Sequence, residues 1–184
     1  MGKKNNHLAN ESTLEVKQAF LASAITDIST YIQLSDTKVS IIMGATVALI
    51  AGVFSWYDYI QEFFTQFAMD SIRSYIICIF LILDFVSVLA VFIFGIITIH
   101  GHSPKLKYRS KWFLPQTSKE YSFISYKKDV CSMTDKDIIE NMAAELYKLN
   151  DINRQKSATT NWTIRCFAAS LLFSIVILAI ILFT

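Results

Sequence analysis

The side chains best suited to binding an anion are concentrated in one polar segment, residues 101–133. This segment contains both prolines of the chain, and basic residues alternate with other residues from Lys105 to Lys111, which favours an extended or irregular conformation. Lys and Arg form charge-assisted hydrogen bonds with phosphate, and aromatic rings stack on nucleobases. The candidates for holding a phosphate and a base are Lys105, Lys107, Arg109, Trp112, Tyr121, Tyr126, Lys127 and Lys128.

The same basic-aromatic pattern has a second interpretation, because anionic lipid attracts each Lys or Arg near a membrane surface by about 1 kcal/mol. Nucleic-acid binding is disfavoured, since the patch is short and the net charge of the chain is only +2.

Asp84 is a carboxylate inside an otherwise uncharged apolar block, residues 75–99. A charge at such a position costs roughly 2.5–3.5 kcal/mol on membrane-insertion scales. Two interpretations remain open: a pore or gating residue, or a helix–helix hydrogen bond to Ser87, Thr46 or Ser170.

Small residues recur at four-residue spacing in another apolar block, at Gly44, Ala48 and Gly52. Small residues on one helix face let two helix backbones approach closely. They indicate either a face for self-association or switching, or ordinary packing against the other apolar blocks, and we favour packing.

The sequence contains no glycine-rich phosphate loop, no nucleophile elbow and no cysteine set with metal-ligand spacing. His100 and His102 lack an obvious third ligand, and the three cysteines form no disulfide framework. We therefore expect no catalysed reaction, no metal site and no cofactor.

The elements that carry these residues are membrane helices. Hydrophobic residues make up 53% of the 184 residues and charged residues 17%. The apolar residues fall in three blocks, 39–55, 75–99 and 166–183. Each block falls within the range of about 17–25 residues that spans a bilayer, and so small a chain cannot hide all three from water. The composition predicts an all-α integral membrane protein with three transmembrane helices.

Two amphipathic helices are predicted next to these blocks, at about residues 12–36 and 134–160. Neither glycine nor proline occurs between Lys3 and Met43 or between Gln116 and Thr184, so each helix can continue into the apolar block that follows. Capping signals at Ser12 and Thr134 predict their starts. Apolar residues mark one face of each, at Leu14, Leu21, Ile25, Ile28 and Ile32 and at Ile138, Met142, Leu149 and Ile152. Residues 101–133 form an irregular or short-stranded cap.

The distribution of charge predicts the orientation. Residues 101–161 contain eleven Lys or Arg, whereas residues 57–73 contain Arg73 alone. Basic segments stay in the cytoplasm. We therefore expect a cytoplasmic helix at 1–38, transmembrane helices at 39–56, 74–99 and 162–184, an external loop at 57–73, and a cytoplasmic cap and stalk at 100–161.

Three features taken in order resemble the Pycsar effector transmembrane protein family. Residues 35–40 (SDTKVS) look like the opening of that family's first membrane helix. The aromatic segment 122–128 (SFISYKK) leads into a helix that carries Lys156 near its end and continues into the last span. The resemblance covers most of residues 20–184.

This resemblance implies a role in bacterial anti-phage defence. A cyclase makes a cyclic pyrimidine mononucleotide on infection, and the membrane effector senses it, impairs the inner membrane and arrests the infected cell. The expected partners are that nucleotide, the lipid bilayer and further copies of the chain in a homo-oligomer. The alternatives are a constitutive membrane anchor or interaction protein, and a small channel subunit gated by another signal.

Overall fold

The computed structural model describes residues 2–55, 61–62, 72–101, 105–106 and 122–182, with the side chains of the first helix described from Thr13 onward. Four α-helices account for most of these residues. They are α1 (Gly2–Ser55), α2 (Ile72–Ile99), α3 (Phe123–Cys131) and α4 (Asp135–Leu182).

Helix α1 is one unbroken element of 54 residues. It begins at Gly2, so the prediction that Ser12 starts the helix is wrong. With no proline or glycine between Lys3 and Met43, nothing interrupts the backbone hydrogen bonds on either side of that capping pattern. The prediction that the amphipathic segment continues into the first apolar block is confirmed.

Helix α4 has 48 residues and begins with the predicted cap. The backbone N–H of Asp137 donates to Thr134 Oγ1 at 3.3 Å, and the backbone N–H of Thr134 donates to Asp137 Oδ2 at 2.9 Å. This reciprocal pair satisfies two donors that a helix start otherwise leaves open. The stalk and the third apolar block therefore form a single rod, as predicted.

Helix α3 corrects the expectation for the end of the cap. Residues 123–131 are helical, because Ser122 has an extended backbone and its hydroxyl accepts a hydrogen bond from Ser125 N–H at 3.3 Å. Tyr126, Lys127 and Lys128 consequently lie on a helix. Residues 102–104 and 107–121 of the predicted cap lie outside the described residues.

Three helices in the described part of the chain, α1, α2 and α4, are long and apolar enough to cross a membrane. Large apolar side chains such as Ile41, Ile82 and Ile175 are exposed along all three. Such surfaces suit lipid, because lipid tails are as apolar as the side chains themselves. The chain is thus an all-α integral membrane protein, as its composition predicts.

The chain divides into two compact units. Met1–Gln33 and His102–Gln155 form one, here called the cap unit, and Leu34–Gly101 and Lys156–Thr184 form the other, the span unit. Each is described by itself.

Close packing of α1 and α2 defines part of the span unit. Val39 of α1 and Val91 of α2 are both 0% exposed. Gly95 of α2 is buried, and a Cβ added to it would lie 2.6 Å from Met43 Sδ and 3.3 Å from Val39 Cγ1. The absence of a side chain at Gly95 is therefore what lets the two helices approach at this point.

Candidate functional site

An ion pair joins α1 and α4 inside the span unit. Lys156 Nζ donates to both carboxylate oxygens of Asp36, at 2.6 and 2.7 Å. The Lys156 side chain is only 7% exposed, whereas that of Asp36 is 37% exposed. A buried ammonium group is costly unless it is paired, so the Asp36 carboxylate compensates for the burial of the Lys156 ammonium group.

A second polar contact joins α2 and α4. Ser170 Oγ donates to Asp84 Oδ1 at 2.5 Å, and Ser174 Oγ donates to Asp84 Oδ2 at 3.3 Å. Of the three partners that the sequence suggests for Asp84, the structure selects Ser170. The hydroxyls of Thr46 and Ser87 instead donate to carbonyl oxygens of their own helices.

Hydroxyl groups also lie along α4 between Lys156, which contacts Asp36, and Ser170, which contacts Asp84. Thr98 Oγ1 donates to Thr159 Oγ1 at 2.8 Å, which adds another link between α2 and α4. Thr163 is 0% exposed, and its hydroxyl donates to Thr159 O at 3.1 Å. Thr160 is 5% exposed, and none of the described residues forms a hydrogen bond with its hydroxyl.

In the cap unit, Asp151 fixes the start of the basic segment to the stalk. The backbone N–H of Lys105 donates to Asp151 Oδ2 at 3.1 Å, Arg154 Nη2 donates to Oδ1 at 2.9 Å, and Gln155 Nε2 donates to Oδ2 at 3.1 Å. The Lys105 N–H holds the pKa of the Asp151 carboxyl below its ordinary value and Arg154 assists, while partial burial acts in the opposite direction.

The structure describes only some of the predicted ligand-binding residues. Lys105, Lys127 and Lys128 are exposed and Tyr126 is half-buried, and all four belong to the cap unit. The other predicted ligand-binding residues, Lys107, Arg109, Trp112 and Tyr121, lie outside the described residues.

The small-residue face of α1 does not pack against the other spans of the chain, which was the favoured interpretation. Gly44, Ala48 and Gly52 are exposed, and a Cβ added at Gly44 or Gly52 would have no atom within 4 Å. The interpretation as packing against the other spans of the same chain is therefore wrong. The buried face of α1 carries Val39 and Thr46 instead.

The described residues contain no group of three His, Cys, Asp or Glu side chains that could hold a metal ion. His100 is exposed at the end of α2, and His102 lies outside the described part.

Neither the burial of Glu145 nor the pairing of Asp36 with Lys156 was predicted from the sequence patterns. Glu145 is 7% exposed and lies in the middle of the predicted apolar face of the stalk. Its position seven residues after Ile138 and seven before Ile152 was a visible signal. The pairing of Asp36 with Lys156 had no such signal, because the two residues are far apart in sequence.

Comparison with known proteins yields one match. Residues 20–183 match the model of the Pycsar effector protein domain. Neither the curated proteins nor the solved structures contain a match. The matched residues take in all of α2, α3 and α4 and most of α1, so the match covers both units. The chain therefore belongs to the Pycsar effector family, and its role is that of an effector in anti-phage defence.

Proposed function

We propose that this effector is activated by a cyclic nucleotide second messenger and then disrupts the integrity of the bacterial inner membrane, which arrests or kills the infected cell. A cyclic pyrimidine mononucleotide is the favoured signal. No reaction is catalysed and no cofactor is needed. The observation that carries the proposal is the match to the effector domain over residues 20–183.

The cap unit is the proposed sensor. Its exposed cations Lys105, Lys127 and Lys128 suit a phosphate, and the half-buried ring of Tyr126 offers a stacking surface for a base. The Asp151 contacts hold the backbone of Lys105 against the stalk, so a ligand bound at this segment acts directly on α4.

The span unit is the proposed output. An effector must be harmless until it is triggered, and a ligand shifts a conformational balance only by its differential affinity for the two states. The Asp36–Lys156 pair and the Asp84–Ser170 contact stabilise the resting arrangement of the spans. Because α1 and α4 each run without a break from the cap unit into the span unit, a rotation at the cap is carried into the bilayer.

The proposed topology places the N-terminus and the cap unit in the cytoplasm, as the excess of Lys and Arg in residues 101–161 favours. The exposed Gly44, Ala48 and Gly52 leave one face of α1 open to a second copy of the chain, so we propose that activation proceeds through a homo-oligomer.

The test is release of a trapped dye from liposomes that hold the purified protein, with and without cyclic mononucleotides. Nucleotide-dependent release is expected. Gly44→Ile and Gly52→Ile should change the triggered release and leave nucleotide affinity nearly intact, because both positions belong to the span unit. No release under any condition would favour a constitutive anchor, and release indifferent to nucleotide would favour a channel gated by another signal.

A further inference from the structure

Arg165 is an exposed charged residue immediately before the third apolar block. Residues 165–182 of α4 extend about 27 Å at 1.5 Å per residue. The hydrocarbon core of a bilayer is about 30 Å thick, so a span that ends with α4 has the backbone of Arg165 at its hydrocarbon edge. A charged side chain at this depth is costly unless it reaches the headgroups or pairs with an opposite charge.

Arg165 lies on the side of α4 that faces away from the other helices of the span unit. It follows Lys156 by nine residues, about two and a half helical turns, which places it opposite the Asp36–Lys156 pair. The ion pairs among the described residues all join other groups. Arg165 therefore faces lipid, with no carboxylate partner in the part of the chain that the structure describes.

Two aromatic rings support the Arg165 guanidinium group. Its Cζ lies 5.4 Å from the centroid of the Trp162 ring. That ring stacks on Phe94 of α2, with centroids 6.0 Å apart and 22° between the ring planes. Side chains of a helix lean toward its N-terminus, so the guanidinium group lies back over Trp162, toward the start of the span. Contact with a ring face uses none of the five N–H donors of an arginine, so they can still bind an anion.

We propose that Arg165 and Trp162 bind the headgroup of an anionic phospholipid, which holds α4 at its depth in the bilayer. The guanidinium fork matches two phosphate oxygens, and the indole N–H can donate to a phosphate or ester oxygen at the same level. Both side chains are exposed on the lipid-facing side of a span at the depth of the headgroups, which favours a lipid over a free phosphate. This proposal goes beyond the proposed function and does not depend on nucleotide activation.

The rival explanation is that Arg165 only reaches water at the membrane surface, in which case it distinguishes no headgroup. Native mass spectrometry of the full-length protein in detergent, titrated with dioleoylphosphatidylglycerol or with dioleoylphosphatidylcholine, separates the two explanations. The two lipids have the same acyl chains, and only the first carries a net charge. The wild-type protein should bind phosphatidylglycerol at least about tenfold more tightly, in line with charge-assisted hydrogen bonds to the phosphate. Phosphatidylglycerol should also raise the Tm more than phosphatidylcholine does, because a ligand of the folded state stabilises it.

Arg165→Gln should reduce the preference for phosphatidylglycerol to less than about threefold, since glutamine carries no charge. Arg165→Lys should give an intermediate preference, because lysine keeps the charge and loses the bidentate fork. Lys38→Gln is the matched control, and its preference should remain that of the wild type. Lys38 is an exposed cation next to Val39, which packs beside Gly95 and so lies at the level of Phe94.

Trp162→Leu is a second test that keeps the arginine. It removes the ring under the guanidinium group and the indole N–H, and it should also lower the preference for phosphatidylglycerol. Equal binding of the two lipids by the wild-type protein, or an unchanged preference in both Arg165→Gln and Trp162→Leu, would overturn the proposal. An equal loss in Lys38→Gln would reduce the effect to general charge, and displacement of phosphatidylglycerol by inorganic phosphate would assign the site to a free anion. Either result would overturn the lipid site as well.

Discussion

Asp36→Asn should destabilise the protein more than Lys156→Met, although the two substitutions break the same ion pair. The asymmetry comes from burial, since Lys156 is 7% exposed and Asp36 is 37% exposed. Asparagine leaves a buried ammonium group without its counter-charge. Methionine removes that ammonium group, fills much of the lysine volume, and leaves a carboxylate that water can reach.

The expected magnitudes follow from the same exposures. Removing one partner of a fully buried pair costs about 3–5 kcal/mol, and an exposed pair contributes about 0–1 kcal/mol. Because Asp36 is more than a third exposed, we expect a loss of about 2–3 kcal/mol for Asp36→Asn and about 1 kcal/mol or less for Lys156→Met. The double variant should lose about 1 kcal/mol, which gives a coupling energy of about 2 kcal/mol.

Thermal unfolding in detergent measures these differences. A loss of about 2–3 kcal/mol lowers the Tm of a chain of this size by about 5–10 °C. Lys38→Met is the matched control, because Lys38 is an exposed lysine close to Asp36 on α1, and its Tm should stay near that of the wild type. Under the proposed function, Asp36→Asn should also raise dye release in the absence of nucleotide, because a link between α1 and α4 is lost.

Equal Tm losses for the two single variants, or a larger loss for Lys156→Met, would refute the argument from burial. Additive losses in the double variant would show that the two side chains do not interact in the membrane.

Four further outcomes are expected. A membrane-impermeant maleimide should label the exposed Cys131 only after right-side-out spheroplasts are lysed, and labelling of intact spheroplasts would reverse the topology. Gly95→Ala should cost about 1–3 kcal/mol by Tm, while Gly52→Ala, where an added Cβ meets no atom within 4 Å, should cost far less. Asp151→Asn should destabilise the protein at neutral pH, and the difference from wild type should shrink below about pH 4, because a lowered pKa contributes stability that is lost as the pH falls through it. Asp84→Asn should change ion leakage from liposomes more than it changes the expression level, and an unchanged leakage would assign Asp84 to packing alone.

The membrane architecture could be predicted from the sequence because it depends on signals that are local in the chain. Long apolar blocks identify the three spans, and the absence of Gly and Pro predicts that α1 and α4 continue into them. The wrong prediction of where α1 begins also came from a local signal. Ser12 carries a capping pattern inside a helix that begins at Gly2, since a capping pattern permits a start but cannot force one when the preceding residues are also helical.

The polar contacts were harder to predict, because each depends on which residues of different helices meet. Ser170 was one of three possible partners of Asp84, and only the position of α4 against α2 distinguishes it from Thr46 and Ser87. The small-residue pattern at Gly44 was interpreted as packing within the chain, yet the helix presents the face with Val39 to its neighbours. A spacing pattern identifies a face but not what covers it.

The polar contacts of the span unit converge on one helix. Lys156, Thr159, Ser170 and Ser174 lie on one face of α4, and their partners belong to α1 in the case of Lys156 and to α2 in the other three.

Apolar burial contributes little to holding helices together in lipid, so packing and polar contacts such as these select one arrangement of the spans. A rotation of α4 about its own axis would displace all of these donors and acceptors together. This arrangement of the spans is therefore lost as a whole once α4 turns, and under the proposed function α4 is the element through which a nucleotide would act on the membrane.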